Sequence, residues 1–282
     1  GGGDARSELT NFVDAESIRS VARANAGFAR DGTSGAAIAM SDVTNASGAG
    51  DQGYGMGCAC ADYDGDGWTD VYVTNAGPNA LLRNRGDGTF TETAAAAGVD
   101  HSGWGTSCAF LDIDKDGDLD LVAGEHWYRN PDWKPIKFRS ILPFGKDYMQ
   151  DNGDYLYDVN GDGWLDVIAG QFTLSSVLWF ENPGKRGRAS SSVPWIQHEL
   201  MDTGFKHNEM IFLRDMNGDG TPEYVANSWN AKNPMLVWKF AKKDGKPTMT
   251  KSVISESGNG HGQGFGDVNG DGHEDIVFMQ GW

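Results

Sequence analysis

The feature that most limits what this chain can become is a nine-residue pattern that occurs five times. It reads Asp62-Tyr-Asp64-Gly-Asp66-Gly67-Trp68-Thr-Asp70, then Asp112-Ile-Asp114-Lys-Asp116-Gly117-Asp118-Leu-Asp120. The others are Asp158-Val-Asn160-Gly-Asp162-Gly163-Trp164-Leu-Asp166, Asp215-Met-Asn217-Gly-Asp219-Gly220-Thr221-Pro-Glu223 and Asp267-Val-Asn269-Gly-Asp271-Gly272-His273-Glu-Asp275. Each places oxygen-bearing side chains at positions 1, 3, 5 and 9 and glycine at position 6. Carboxylates this close repel one another unless a cation lies among them. Alternate oxygens converge when a loop coils around an ion, and glycine permits the sharp turn. The carbonyl of position 7 and the carboxylate of position 9 complete an oxygen shell. Position 7 (Trp68, Asp118, Trp164, Thr221, His273) varies freely, as expected if only its carbonyl is used. Positions 1, 3, 5, 7 and 9 of all five loops are therefore the expected ligands. The expected ion is Ca²⁺, up to five per chain, because Mg²⁺ keeps more of its own waters.

The loops account for the charge of the chain. Of 282 residues, 23 are Lys or Arg and 40 are Asp or Glu, a formal net charge of −17. Seventeen acids stand at positions 1, 3, 5 and 9 of the loops. Five divalent ions would add ten positive charges and leave −7, ordinary for a soluble domain. The basic stretches are short, Lys185–Arg188 and Lys239–Lys251, so a nucleic-acid partner is not expected. No run approaches the ~18–20 apolar residues of a membrane span. The 11% aromatic content is too high for a disordered acidic tail.

The motifs recur with a period. Their first aspartates are 50, 46, 57 and 52 residues apart, a spacing typical of propellers and arrays. An apolar β-prone triplet follows each motif: Val71–Val73, Leu121–Ala123, Val167–Ala169, Tyr224–Ala226 and Ile276–Phe278. Alternating Gly and small residues precede it, as in Gly53–Ala61, Gly103–Phe110 and Gly262–Gly266. Period-two patterning on both sides of a turn predicts a hairpin with the loop at its tip. A second hairpin follows, with an Asp87-Gly88 two-residue turn signal after Asn84 and counterparts around Asn130, Asn182 and Asp244-Gly245. Four strands per ~50 residues make the blade of an all-β propeller. The spacing of 57 predicts an insertion at Lys185–Val193. One helix is expected, over Asp14–Asn25 with Asp14 as N-cap, within an N-terminal segment 1–25; the propeller is expected over 26–282. The fifth unit stops after its second strand. Phe28–Gly48 resembles Gly88–Gly98 and supplies strands of the missing kind. Either the ends share a blade in a five-bladed ring, or the chain is a fragment of a six- to eight-bladed protein.

Motif, triplet and period together resemble the FG-GAP/VCBS repeat family, the repeat of integrin α-chain propellers. The stretch Gly57–Gly98, with ADYDGDGWTDVYVTNAGPNALLRNRGDGTF, is similar to cartilage-acidic-protein-like bacterial secreted proteins. The resemblance implies a propeller with Ca²⁺ on its hairpin loops, usually extracellular and often used for adhesion or sugar binding. Repeat four departs from the pattern, with Glu223 in place of Asp and Pro222 before it.

Three further expectations follow. The cysteines Cys58, Cys60 and Cys108 are expected to be small buried residues on inner strands; the odd number argues against a disulfide framework. Loops of this kind fill at ~0.1–1 mM Ca²⁺, which points to a secreted, periplasmic or cell-surface location and an extracellular protein or glycan partner. As a module the chain would bind through one face, with Trp104, Trp127, Trp133, Trp195 and Trp229 available to stack on sugars if they are not packed between blades. As an enzyme of the carbohydrate lyase or dehydratase type it would use Asp154, His207, Asn208, Glu209 and His261 at a channel mouth, with His207, Glu209 and His261 as acid/base groups; a solvated channel lining is the plainer reading.

Overall fold

The computed structural model describes residues 43–282 apart from 145–147, 190–192, 258–259, 261 and 279–280. The helix expected over Asp14–Asn25, the segment Phe28–Asp42 and His261 lie outside the described residues. The chain divides into two compact units, one within Asn11–Lys137 and one containing Phe138–Trp282.

The first unit holds two antiparallel sheets. One runs β1 (Gly55–Ala61), β2 (Asp70–Pro78), β3 (Ala80–Asn84) and β4 (Phe90–Glu92), with β5 (Ser102–Trp104) paired to the end of β2. The other runs β6 (Cys108–Leu111), β7 (Asp120–Ala123), β8 (His126–Arg129) and β9 (Lys134–Lys137). Strand order follows chain order, so each sheet is a meander. The first two motifs form the tips of the β1–β2 and β6–β7 hairpins, whose registers close on Ala61↔Asp70 and Leu111↔Asp120. The sheets bury a shared core of Tyr72, Leu81, Val99, Cys108, Leu121 and Tyr128.

The second unit begins with β10 (Pro143–Phe144) and β11 (Tyr148–Met149). Its third-repeat sheet is β12 (Asp151–Tyr157), β13 (Asp166–Gln171), β14 (Ser176–Glu181) and β15 (Ile196–Asp202). The fourth is β16 (Asn208–Arg214), β17 (Glu223–Ser228), β18 (Met235–Lys243) and β19 (Lys246–Ser255). The fifth has two strands, β20 (Gly264–Gly266) and β21 (Asp275–Val277). Strand alternation buries the fourth sheet on both faces. Ile211, Leu213, Tyr224, Ala226, Leu236 and Trp238 pack with Ile168, Val177 and Trp179 of the third sheet. Their neighbours Phe212, Val225, Met235 and Val237 pack with Ile276 and Phe265 of the fifth. A sheet covered by sheets on both faces is the arrangement of a blade, and each fully buried side chain such as Ile168 contributes about 1.5–3 kcal/mol.

Two details differ from the sequence reading. Short helices stand at Thr44–Ser47, Ala94–Ala97 and Lys185–Ala189. The first two both end on a left-handed glycine, Gly48 or Gly98, so Thr44–Gly48 and Ala94–Gly98 are locally alike, as their sequence similarity implied. The third lies inside the expected insertion. Asp87-Gly88 is not a two-residue turn: β3 and β4 pair at Asn84↔Phe90, leaving a five-residue loop. A two-residue turn does occur at Asp244-Gly245, where Lys243 pairs with Lys246 and both turn residues have positive φ.

Candidate functional site

The nine-residue loops share one backbone scheme. The carboxylate at position 1 accepts hydrogen bonds from the amides of positions 5 and 6. These are Asp66 and Gly67 on Asp62 (3.0 and 2.8 Å), Asp116 and Gly117 on Asp112 (3.0 and 3.1 Å), and Asp162 and Gly163 on Asp158 (3.0 and 2.8 Å). Asp215 and Asp267 do the same for Asp219, Gly220, Asp271 and Gly272. The position 5 carboxylate accepts from the amide of position 7 in every loop, at 2.8–3.1 Å. Position 6 needs a left-handed backbone, φ +84° at Gly220 to +101° at Gly117, which glycine adopts without steric cost. These bonds leave lone pairs on each carboxylate free for a ligand.

Position 9 does more than offer a ligand oxygen. Asp70 accepts from the amides of Tyr63 (3.3 Å) and Asn84 (2.7 Å). Asp120 accepts from Ile113 (3.2 Å) and Asn130 (2.9 Å), and Asp166 from Val159 (3.0 Å) and Asn182 (2.8 Å). The asparagine then returns its side-chain amide to the carbonyl of position 8: Thr69, Leu119 or Leu165, at 2.9–3.0 Å. Loop and third strand are thus latched together. Burial pushes the Asp70, Asp120 and Asp166 carboxyls up to about 7, opposed by the amides they accept from and reinforced by loop carboxylates.

Two motif positions that look variable are constrained. Position 2 is always apolar, and in the first four loops its side chain is the plug beneath the loop: Ile113 and Val159 are buried, and Tyr63 and Met216 pack on core clusters, whereas Val268 of the fifth is exposed. Tryptophan at position 7 goes with glycine two residues after the latch asparagine. A Cβ on Gly86 would fall 2.5 Å from the Trp68 ring, and one on Gly184 3.1 Å from Trp164 Nε1. Position 7 therefore does not vary freely in repeats one and three.

The carboxylates converge in the first two loops. Oxygens of Asp62, Asp64 and Asp70 lie within 4.8 Å of one another, as do those of Asp112, Asp114 and Asp116. The residue that pairs with position 9 from the third strand adds charge. Arg83 meets Asp64 (2.6 Å) and Asp66 (3.2 Å), and Arg129 meets Asp114 (3.1 Å). The matching residue of repeat three is Glu181, bound to His198 (2.7 Å). In repeat four it is Lys239, paired with Asp219 and 3.7 Å from Glu223. No latch forms there. Phe240 occupies the asparagine position, and Glu223 takes the amides of Met216 (3.0 Å) and Asn217 (2.8 Å). In repeat five, Asp275 holds the Val268 amide (2.9 Å).

A family model for the FG-GAP-like repeat matches residues 62–123, 158–226 and 215–278. The chain belongs to the FG-GAP-like repeat family. These matches begin on the first aspartate of loops one, three and four, and each runs through the following loop into the strand after it. No curated protein matches the sequence. A solved structure described as an Agrocybe aegerita lectin specifically recognising non-reducing terminal N-acetylglucosamine is similar over 77% of this chain. The identity is 19% and the TM-score 0.48, and the chain spans 59% of that structure's length.

The residues proposed for a channel mouth have separate settings. Asp154 is buried and bound by Arg139 at 2.5 and 2.6 Å, and Asp151 shares that guanidinium at 3.0 Å. Asn208 is buried, its amide on the Phe205 carbonyl at 3.0 Å. His207 is exposed with φ +61° and stacks on Trp229 at 5.4 Å. Glu209 is half-buried, and its carbonyl accepts from Asn152 (2.6 Å). Of the tryptophans, Trp127 and Trp195 are buried and Trp133 packs edge-on to Tyr63, so these serve packing; Trp229 is 40% exposed. The side chain of Trp104 is not among those described. All three cysteines are free. Cys108 is buried as expected, but Cys58 is exposed and Cys60 half-buried, which corrects the expectation for both. Among the described residues no helix is long and apolar enough to cross a membrane.

Proposed function

We propose that the chain is a calcium-loaded β-propeller segment that works outside the cytoplasm as a protein- or carbohydrate-binding module. The observation that carries the calcium reading is the meeting of three carboxylates within 4.8 Å in each of loops one and two. They sit on a backbone whose own hydrogen bonds leave lone pairs unused. The donors are all hard oxygens, the set that suits Ca²⁺, with several supplied by the protein rather than by water. Asp62, Asp64, Asp66, Asp70 and the Trp68 carbonyl would hold the first ion, and their equivalents the others. Bound ions would supply only charge neutralisation and rigidity, stiffening the hairpin tips beneath which the sheets pack. Loops of this type fill at millimolar calcium, which supports a secreted, periplasmic or cell-surface setting. Exposed rings such as Trp68 and Trp229 are of the kind that stack on sugars and anchor interfaces.

Melting the chelator-treated protein with and without 5 mM Ca²⁺ tests the metal. Calcium is expected to raise Tm by mass action, and coincident curves would remove the reading. A glycan array probed in millimolar Ca²⁺ tests the carbohydrate branch, with Trp229→Ala as the control that should lose signal. An array without hits leaves the protein-binding branch.

A further inference from the structure

The five loops share a backbone but not a charge. In loops one and two the third strand contributes Arg83 or Arg129, and each arginine meets an additional acid at position 3, Asp64 or Asp114, with Arg83 also reaching Asp66 at position 5. The extra cation cancels the extra anion, and three net negative charges remain. Loop three has asparagine at position 3 and loses nothing, because its third-strand residue is Glu181. Loop five keeps Asp267, Asp271 and Asp275 with the Asn269 amide on Asp271. Loop four combines three acids with a third-strand cation, which leaves two net charges; the lysine at loop three, Lys242, sits on the Asn160 carbonyl (3.3 Å) rather than on a carboxylate. That cation does not sit on a surplus carboxylate. Lys239 pairs with Asp219 at position 5 and approaches Glu223 at position 9, two of the groups an ion would need.

Two other departures coincide in this repeat. Glutamate replaces aspartate at position 9, and Phe240 replaces the latch asparagine. The position 3 amide nitrogen lies on a motif carboxylate as in loops three and five, but here Asn217 reaches Glu223 at position 9 rather than the carboxylate at position 5. Yet Asp215 still gathers the amides of Gly218, Asp219 and Gly220 at 2.8–3.1 Å. The loop keeps its shape while its charge is met internally. A lysine ammonium is a compact point charge able to serve in this way.

We infer that Lys239 is the built-in cation of the fourth loop, and that this loop takes no divalent ion, so the chain fills with four ions rather than five. The inference rests on the calcium reading of the other loops. Equilibrium dialysis of the full chain against radiolabelled Ca²⁺ measures the number at saturation. The wild type and Lys239→Arg are expected to saturate at four, and Lys239→Gln at five. Equal, non-zero numbers for the wild type and Lys239→Gln overturn this inference and leave the calcium reading standing. Zero binding in both overturns the calcium reading, and this inference with it. A second measurement needs no bound metal. In chelator, Lys239→Gln should melt below the wild type and Lys239→Arg with it. A Lys239→Gln curve that overlays the wild type also refutes the role of Lys239.

Discussion

Replacing Asn182 by alanine should cost the protein far more than the loss of a loop side chain. The asparagine makes three bonds at the latch: its own amide to Asp166 (2.8 Å), its Nδ2 to the Leu165 carbonyl (2.9 Å), and its Oδ1 from the Gly184 amide (2.9 Å). Alanine keeps the first and removes the other two. Each such bond has a net worth of about 1 kcal/mol, and a buried partner left unpaired costs about 1–3 kcal/mol. Because Gly184 is buried, a total loss of about 2–4 kcal/mol is expected. At about 2–4 °C per kcal/mol for a chain of this size, Tm falls by about 4–16 °C. The measurement belongs in chelator, where ion occupancy does not contribute, followed by urea denaturation to obtain the free energy. Asn84→Ala and Asn130→Ala should behave alike, since each repeats the Asp and carbonyl bonds. A loss below about 0.5 kcal/mol for Asn182→Ala would show that the latch is a by-product of loop closure and contributes no stability.

Arg139→Met should destabilise by about 3–5 kcal/mol in urea, because Asp151 and Asp154 would stay buried without their guanidinium; wild-type stability would show that these carboxylates gain other partners. Gly184→Ala should cost about 1–2 kcal/mol through its left-handed backbone and shift Trp164 emission, since the new methyl meets the indole; an unchanged spectrum would contradict the packing. Cys58 should react with Ellman's reagent in the native protein and Cys108 only after unfolding. Burial pushes the Cys58 thiol above its ordinary value, so its rate should still be rising with pH past the usual thiol range. A Cys108 reaction that comes first would contradict the burial.

The sequence was most legible where chemistry and period coincide. The spacing of Asp62 to Asp70 and the triplet Val71–Val73 locate a hairpin and its tip without any structure, since few other arrangements tolerate such acids beside a buried strand. Asn84, Asn130 and Asn182 were visible as repeated letters, but their purpose was not, because a latch depends on backbone amides that carry no sequence signal. The apolar character of Tyr63, Ile113, Val159 and Met216 was also in plain view, and it marks the side chains that face the core. The Asp87-Gly88 signal misled because Asn84 and Gly86 are engaged with the ion loop, which holds the strands apart for longer than a tight turn allows. Lys239 could have been found by aligning the third strands on their register rather than on the motifs.

The latch also governs where the chain tolerates extra length. In every repeat the motif loop is nine residues long, and in the first three its far side is tied to the third strand. Beyond that tie the outer connection ranges from two residues at Asp244-Gly245 to fourteen between Glu181 and Ile196. The longest one opens only after Gly184 has accepted its place against Trp164 and Asn182. Growth by insertion is therefore channelled to the outer rim, where Lys185–Ala189 already forms a short helix. A peptide grafted there would leave the nine-residue loops untouched, which makes this connection the natural port for fusing or displaying foreign sequence on the scaffold.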